Sequence, residues 1–252
     1  MQSIEEASRE QKSSSLTMPY ALSFLHRQLF VKLPVPTTSF QGKTVIVTGS
    51  NVGLGLEASR WIVRLGASRL ILACRSVEKG RVAAKDIQIS TGCSPDTLDV
   101  WQLDMASYDS VQGFANKVHA NLPRLDVFIA NAGINSNQFQ IFEKDEAMIT
   151  VNVVSLFLLG FLLYPKLRET AAQYGSHTYF TITASDLHEV AKFEERKAPD
   201  GQIFRTLNSQ SKFSGTERYA TSKLMEILLV KEMAVLVPLK CRNVIINCVS
   251  PG

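Results

Sequence analysis

The sequence predicts an α/β domain with a doubly wound, mainly parallel sheet, and three observations predict it. Apolar runs of strand length alternate with helical stretches along most of the chain. Those runs are nearly unbroken in apolar residues, as in strands covered on both faces. A glycine cluster joins the first run to the first helical stretch, where such sheets make a tight turn. The chain has 252 residues, enough for one such domain with a buried sheet.

Residues 1–41 are expected to form an N-terminal extension, because they mix charged, Ser/Thr and Pro residues around one apolar patch at 20–33. Within it Leu22, Leu25, Leu29 and Leu33 have a helix-like spacing. Regular alternation starts after Gly42. A strand is predicted at Thr44–Thr48, then the glycine turn, a helix over 56–65 and a strand at 70–73. A strand at 100–103, a helix over 111–118 and a strand at Val127–Ala130 follow. A long helix over 145–168 leads to a strand at Thr178–Thr183, and a helix over 219–236 leads to a last strand at 243–249.

Composition excludes several function classes. The net charge of +4 is too modest for the electrostatic footprint of a nucleic-acid binder. Four cysteines, Cys74, Cys93, Cys241 and Cys248, show neither metal-ligand spacing nor the density of a disulfide framework, so reduced thiols and a cytoplasmic location are expected. No signal peptide is predicted, because the first residues are charged and no apolar core follows a basic start. The apolar stretch at 156–163 falls well short of the ~20 residues of a bilayer span and reads as a buried helix.

The segment Thr48-Gly49-Ser50-Asn51-Val52-Gly53-Leu54-Gly55 lies between the first strand and the first helix. There Gly49, Asn51, Gly53, Leu54 and Gly55 are candidates to bring backbone amides against a pyrophosphate, although a plain tight loop also uses glycines. At the end of the second strand, where an acidic residue would hold ribose hydroxyls, the sequence has Cys74-Arg75. A guanidinium there suits a 2′-phosphate, so Arg75 points to NADP(H), with Lys79 and Arg81 as helpers. A solvated loop cation is the plainer alternative. Tyr219 and Lys223 are four residues apart, hence on one helix face. Asn152 is a polar residue in an otherwise apolar helix, which suits a hydrogen-bonded core residue, an active-site residue, or both.

These motifs together resemble the short-chain dehydrogenase/reductase family, and in particular its retinol-dehydrogenase-like and fungal secondary-metabolism branch. The glycine segment is similar to its TGxxxGxG signature, Leu103-Asp104 to its adenine-contacting aspartate, and Asn131-Ala132-Gly133 to its NAG motif. Tyr219 to Lys223 is similar to its YxxxK, and the match runs over about residues 40–252. The resemblance implies a Rossmann-type NADP(H)-binding domain over 42–252, with Asp104, Asn131, Ala132, Gly133, Tyr219 and Lys223 also at the cofactor. It implies Asn152, Ser185, Tyr219 and Lys223 as the catalytic set. Tyr219 would be the general acid/base, its phenol shifted from an ordinary pKa of about 10 by the Lys223 cation. Ser185 would hold the substrate oxygen, Lys223 the nicotinamide ribose, and Asn152 a water. A long insertion between Ser185 and Tyr219 would flank the substrate pocket, with its charge run Glu194-Glu195-Arg196-Lys197 read as a solvated face and His188 as a polar loop residue.

The sequence stops at Val249-Ser250-Pro251-Gly252, similar to the family's PG turn, so a seventh strand is expected to be missing and the sixth to be an open edge. The expected function is reduction of a ketone or aldehyde, or oxidation of the alcohol, on a lipophilic or secondary-metabolite substrate. The alternative is a truncated, inactive dinucleotide-binding protein with a regulatory or pairing role. Pairing of the two long helices in the family adds a homo-oligomer to the expectations.

Overall fold

The first strand, β1 (Thr44–Thr48), has all five side chains buried, which is why its sequence lacks the polar alternation of a sheet with one wet face. The computed structural model describes Leu22, Leu29, Phe30, residues 34–236 and residues 243–251. The predicted apolar patch at 20–33 and Cys241 therefore lie largely outside the described residues. The compact unit that carries the sheet runs from Thr37 to Ser250.

Around β1 the sheet is built from β2 (Arg69–Cys74), β3 (Leu98–Gln102), β4 (Val127–Ala130), β7 (Thr178–Thr183) and β8 (Val244–Val249). Its order is β3-β2-β1-β4-β7-β8, and every pairing is parallel. A two-stranded antiparallel hairpin, β5 (Ile141–Phe142) with β6 (Asp145–Glu146), stands apart from it. The helices are α1 (Gly53–Arg64), α2 (Val77–Thr91), α3 (Tyr108–Asn121), α4 (Ala147–Tyr174), α5 (Ile203–Leu207) and α6 (Gly215–Leu236).

Two apolar layers sandwich the sheet. Ile46, Ile71, Phe128 and Phe180 pack with Val111 and Phe114 of α3 and Leu156, Leu159 and Leu163 of α4. Phe128 and Phe180 stack with ring centroids 5.0 Å apart. On the other face Val45, Val47, Leu70 and Leu72 pack with Ile62 and Val63 of α1 and Ile87 of α2. Helix α4 has the length and apolar composition of a bilayer span, yet 72% of its most apolar window is buried in the domain. It is the central core helix of this layer.

The predicted strands at Thr44–Thr48, Val127–Ala130 and Thr178–Thr183 coincide with β1, β4 and β7. Helix α2 has no counterpart in the sequence reading. Its apolar spacing is broken, since Val82 and Ile89 are exposed while Ala83 and Ile87 are buried, and what marks it is capping. Ser76 Oγ accepts from Lys79 N at its start, and Gly92, at φ 71°, ends it. Helix α6 starts at Gly215, four residues before Tyr219, so the tyrosine lies in its second turn.

Candidate active site

The loop Gly49–Val52 leaves the carboxyl end of β1 and enters α1. Gly49 and Gly53 have φ of 64° and 57°, the left-handed region that glycine enters without strain. A Cβ on Gly49 would sit 3.0 Å from the Cα of Ala132, so the glycine lets the β1 and β4 turns touch. Gly55 plays a related part inside the helix. A Cβ there would lie 2.5 Å from both Asn131 Nδ2 and the Gly49 carbonyl. Asn131 Nδ2 donates to the carbonyls of Thr48 (3.0 Å) and Gly49 (3.3 Å), while Thr48 Oγ1 accepts from the amides of Asn131 and Ala132. Thr48 and Asn131 thus lock the two strand ends together.

In front of these turns lies a cleft of about 420 Å³, lined by residues that include Gly49, Asn51, Leu54, Arg75, Asp104 and the Asn131-Ala132-Gly133 turn. It sits at the carboxyl ends of β1 to β4, where the sheet order reverses between β1 and β4, the expected place for a ligand in an open α/β sheet. The N-terminus of α1 faces it without a side-chain cap from Val52 and without an acidic residue in the first turn. Its first amides are therefore available to an anion. Val52 and Leu54 are exposed although apolar. A bare helix start, a glycine turn open to the cleft and a guanidinium among its lining residues fit the phosphates of a dinucleotide.

Among the sequence-predicted cofactor residues, Gly53, Gly55, Tyr219 and Lys223 are not in the lining of this cleft; Gly53 shapes the turn, Gly55 the packing behind it, and Tyr219 and Lys223 lie on α6. Asp104 lines it, with Oδ1 accepting from Ala106 N at 3.0 Å. Arg75 is exposed at the cleft. Of its two proposed helpers, Lys79 does not line the cleft, and Arg81 lines a separate crevice with Pro95 and Asp99.

Behind Gly133 the structure gathers three elements. A Cβ on Gly133 would lie 3.3 Å from Asn152 Oδ1 and 3.6 Å from Lys223 Nζ, so this glycine separates the cleft from both side chains. Asn152 lies in a stretch of α4, Thr150–Ser155, where the helix widens to π-type turns, an irregularity frequent at functional sites. Its Oδ1 accepts from Ile134 N (2.8 Å), and its Nδ2 donates to Ile134 O (3.0 Å) and Ser222 Oγ (3.0 Å). Both amide hydrogens are thereby engaged, and a water would find one remaining lone pair on Oδ1. Lys223 Nζ donates to the Thr183 carbonyl (2.8 Å) and to Glu226 Oε1 (2.9 Å), and lies 5.8 Å from the centre of the Tyr219 ring. Ser185 follows β7 at the start of a 3₁₀ turn, Asp186–Val190, with Oγ accepting from Leu187 N (3.3 Å). Its hydroxyl hydrogen is left to donate elsewhere. Its carbonyl meets His188 Nδ1 at 2.7 Å, which gives His188 a local partner.

The insertion is fastened rather than loose. Asn208 accepts from Glu146 N (2.8 Å) and donates to Asp145 Oδ1 (3.0 Å). Buried Arg218 donates to the Leu207 carbonyl and to Glu195 Oε1 (3.1 Å). The expectation of a solvated charge run is corrected at Glu195, whose side chain is 12% exposed against 2% for its Arg218 partner; the Glu194–Lys197 pair is exposed. Burial lowers the Arg218 pKa despite the nearby Glu195, Glu146 and Glu217. Sequence reasoning missed Arg218, Asn208 and Glu226. For Glu226 a signal existed, an acid within the run Leu224-Met225-Glu226-Ile227-Leu228.

Comparison with known proteins identifies the family and agrees with the fold. Residues 43–176, just over half of the chain, match the family model described as short chain dehydrogenase. The chain belongs to the short chain dehydrogenase family. It is 50% identical over 233 residues to a short chain dehydrogenase/reductase of Cryptosporiopsis sp. (strain 8999), covering 92% of this chain and 72% of that protein. It is 44% identical over 236 residues to a short-chain dehydrogenase of Penicillium roqueforti, covering 92% of this chain but 61% of that protein. Among solved structures, an Escherichia coli CFT073 protein complexed with NADPH superposes with a TM-score of 0.63 at 25% identity, covering 86% of this chain and 79% of that one. An Escherichia coli oxidoreductase superposes with a TM-score of 0.63 at 23% identity, over 89% and 80% of the two chains, a likeness of fold. As a short chain dehydrogenase the chain is an oxidoreductase of a family that acts on small molecules with a nicotinamide dinucleotide.

Proposed function

We propose that this short chain dehydrogenase is NADP(H)-dependent and interconverts a ketone or aldehyde and its alcohol on a lipophilic substrate, with Asn152, Ser185, Tyr219 and Lys223 as its reacting set. One observation carries the reading: a single cleft has the Arg75 guanidinium among its lining residues and, behind Gly133, Lys223 and Asn152. The guanidinium suits a 2′-phosphate through charge-assisted bonds, and the bare start of α1 suits the pyrophosphate. When bound, the nicotinamide supplies the hydride that adds to the carbonyl carbon and accepts it in the reverse direction. The chain's own residues handle the proton. Tyr219 donates it to the developing alkoxide, and the Lys223 cation favours the tyrosinate that remains. Ser185, with its hydroxyl hydrogen free, donates to the same oxygen and fixes it against Tyr219. Asn152 holds the α4 backbone to the Gly133–Ile134 turn and to α6, which keeps Lys223 in place. Exposed Phe161 of α4 and Leu228 and Leu229 of α6 support self-association through these helices as part of the same reading.

The test is a fluorescence titration with NADPH and NADH, followed by a panel of ketones with cofactor absorbance as the readout. NADPH is expected to bind more tightly than NADH. Arg75→Ala should weaken NADPH binding roughly ten- to a hundredfold, the value of one hydrogen bond to a charged group, with NADH unchanged. Tyr219→Phe should lower turnover by roughly 10²- to 10⁴-fold and leave NADPH binding intact. A folded chain that binds neither cofactor overturns the reading.

A further inference from the structure

Three residues beyond Lys223 on α6, Glu226 is fully buried and has no part in the set described above. Its Oε1 accepts from Lys223 Nζ at 2.9 Å, and its Oε2 is buried with no hydrogen-bond partner. The ammonium has three hydrogens. One goes to the Thr183 carbonyl and one to Glu226, which leaves one for the side on which Gly133 opens to the cleft. We propose that Glu226 is a positioning residue for Lys223: it fixes which way the ammonium points and, through its own protonation state, sets how much positive charge the Tyr219 phenol feels. The inference rests on the reading of Tyr219 and Lys223 as the acid/base pair.

The physical argument concerns a two-charge pair with few neighbours. Among the described residues, the titratable groups facing Glu226 are Lys223 from its own helix and Cys248 from β8. Burial raises the carboxyl, and Lys223 offsets only part of that, so the group is pushed up to about 7. The Cys248 thiol, raised to about 11 by burial and by the Glu226 charge, stays neutral over the working range and supplies no counter-charge. Below neutrality the pair carries a net positive charge. Above it the pair is neutral, and a tyrosinate at Tyr219 loses part of the cation's help. Removing the carboxylate while keeping the amide shape therefore leaves Lys223 unopposed and should make the tyrosinate easier to form.

The experiment labels the six tyrosines of the full chain with carbon-13 at Cζ, identifies the Tyr219 signal by its loss in Tyr219→Phe, and follows it with pH in the absence of cofactor. In the wild type the signal should show a step near pH 7, before the phenol's own ionisation. In Glu226→Gln the step should vanish and the phenol midpoint fall by roughly one unit, the lower end of the effect of a close charge. A wild-type signal that is flat between about pH 6 and 8, or a Glu226→Gln midpoint no lower than wild type, overturns the proposal. Should the variant fail to fold, the wild-type step alone decides. NADPH titration of the same samples separates the two readings. Failure to bind NADPH counts against the proposed function, whereas binding with a flat Tyr219 signal counts against Glu226 alone.

Discussion

A buried carboxylate beside a buried ammonium ties stability to pH in a direction opposite to that of an exposed, paired acid. Glu226 is raised in the folded chain from an ordinary value of 4.5 to about 7. Between those values the native state holds a proton that the unfolded state has released, so its contribution is complete below about pH 4.5 and is lost as pH rises through about 7. Glu146, raised by burial, acts in the same sense and remains when Glu226 is replaced. Urea unfolding at about pH 5 and pH 8 should therefore show the wild type losing stability relative to Glu226→Gln, on the order of 3 kcal/mol. Equal losses in both proteins would mean that the carboxylate is ionised throughout. This residue was missed because a glutamate three positions after a lysine reads as an ordinary surface pair; the apolar residues on both sides of it were the signal that it is buried. The proposed set Tyr219, Lys223, Ser185 and Asn152 stands out in the sequence by residue type and order, and the structure places Asn152 and Lys223 together behind Gly133. The engagement of both Asn152 amide hydrogens was not legible there, since it depends on where Ile134 and Ser222 come to rest.

At the scale of elements, the spacing of three glycines announced the turn between β1 and α1, but not the separate task of each. Gly55 sets how closely α1 approaches the β1 and β4 ends, and an added methyl would meet backbone and Asn131 together. The Gly49 carbonyl is backbone, and Asn131 Nδ2 is held by its bonds to the Thr48 and Gly49 carbonyls. Gly55→Ala should therefore destabilise the fold by roughly 1–3 kcal/mol, as overpacking does, and weaken NADPH binding as the cleft floor shifts. Gly113 is the control. It lies within α3 with nothing within 4 Å of an added Cβ, so Gly113→Ala should stabilise by up to about 1 kcal/mol. Denaturant midpoints of the two variants check both signs. The strands of the inner sheet were legible because they are buried on both faces and so keep unbroken apolar runs. Helix α2 was not, since its buried face is narrow and its limits are set by Ser76 and Gly92 instead. The insertion was legible as an insertion, but its attachment through Asn208 and Arg218 joins residues far apart in sequence, and no local pattern records that.

The order β3-β2-β1-β4-β7-β8 makes the cleft a property of the whole sheet. Chain leaving β1 runs to β2 and β3 on one side and later returns to β4, β7 and β8 on the other, so the crevice at the β1–β4 boundary has walls from both halves. Arg75 and Asp104 come from one half, Asn131 to Gly133 from the other, and Gly49 from the strand between them. A ligand in that crevice contacts both halves and is lost when either opens. Its binding energy should therefore appear as stability of the entire sheet. At a free NADPH concentration about a hundred times Kd, the chain should gain about 2.7 kcal/mol, and NADH at the same concentration should add less, because it lacks the phosphate that suits Arg75. Urea unfolding followed by tryptophan emission reads this directly, since Trp61 lies on α1 and Trp101 on β3. One transition displaced to higher urea with its slope unchanged means that the cofactor cleft and the core unfold together. Two transitions of which NADPH moves only one would mean that the halves of the sheet open separately, with the cleft belonging to the half that moves.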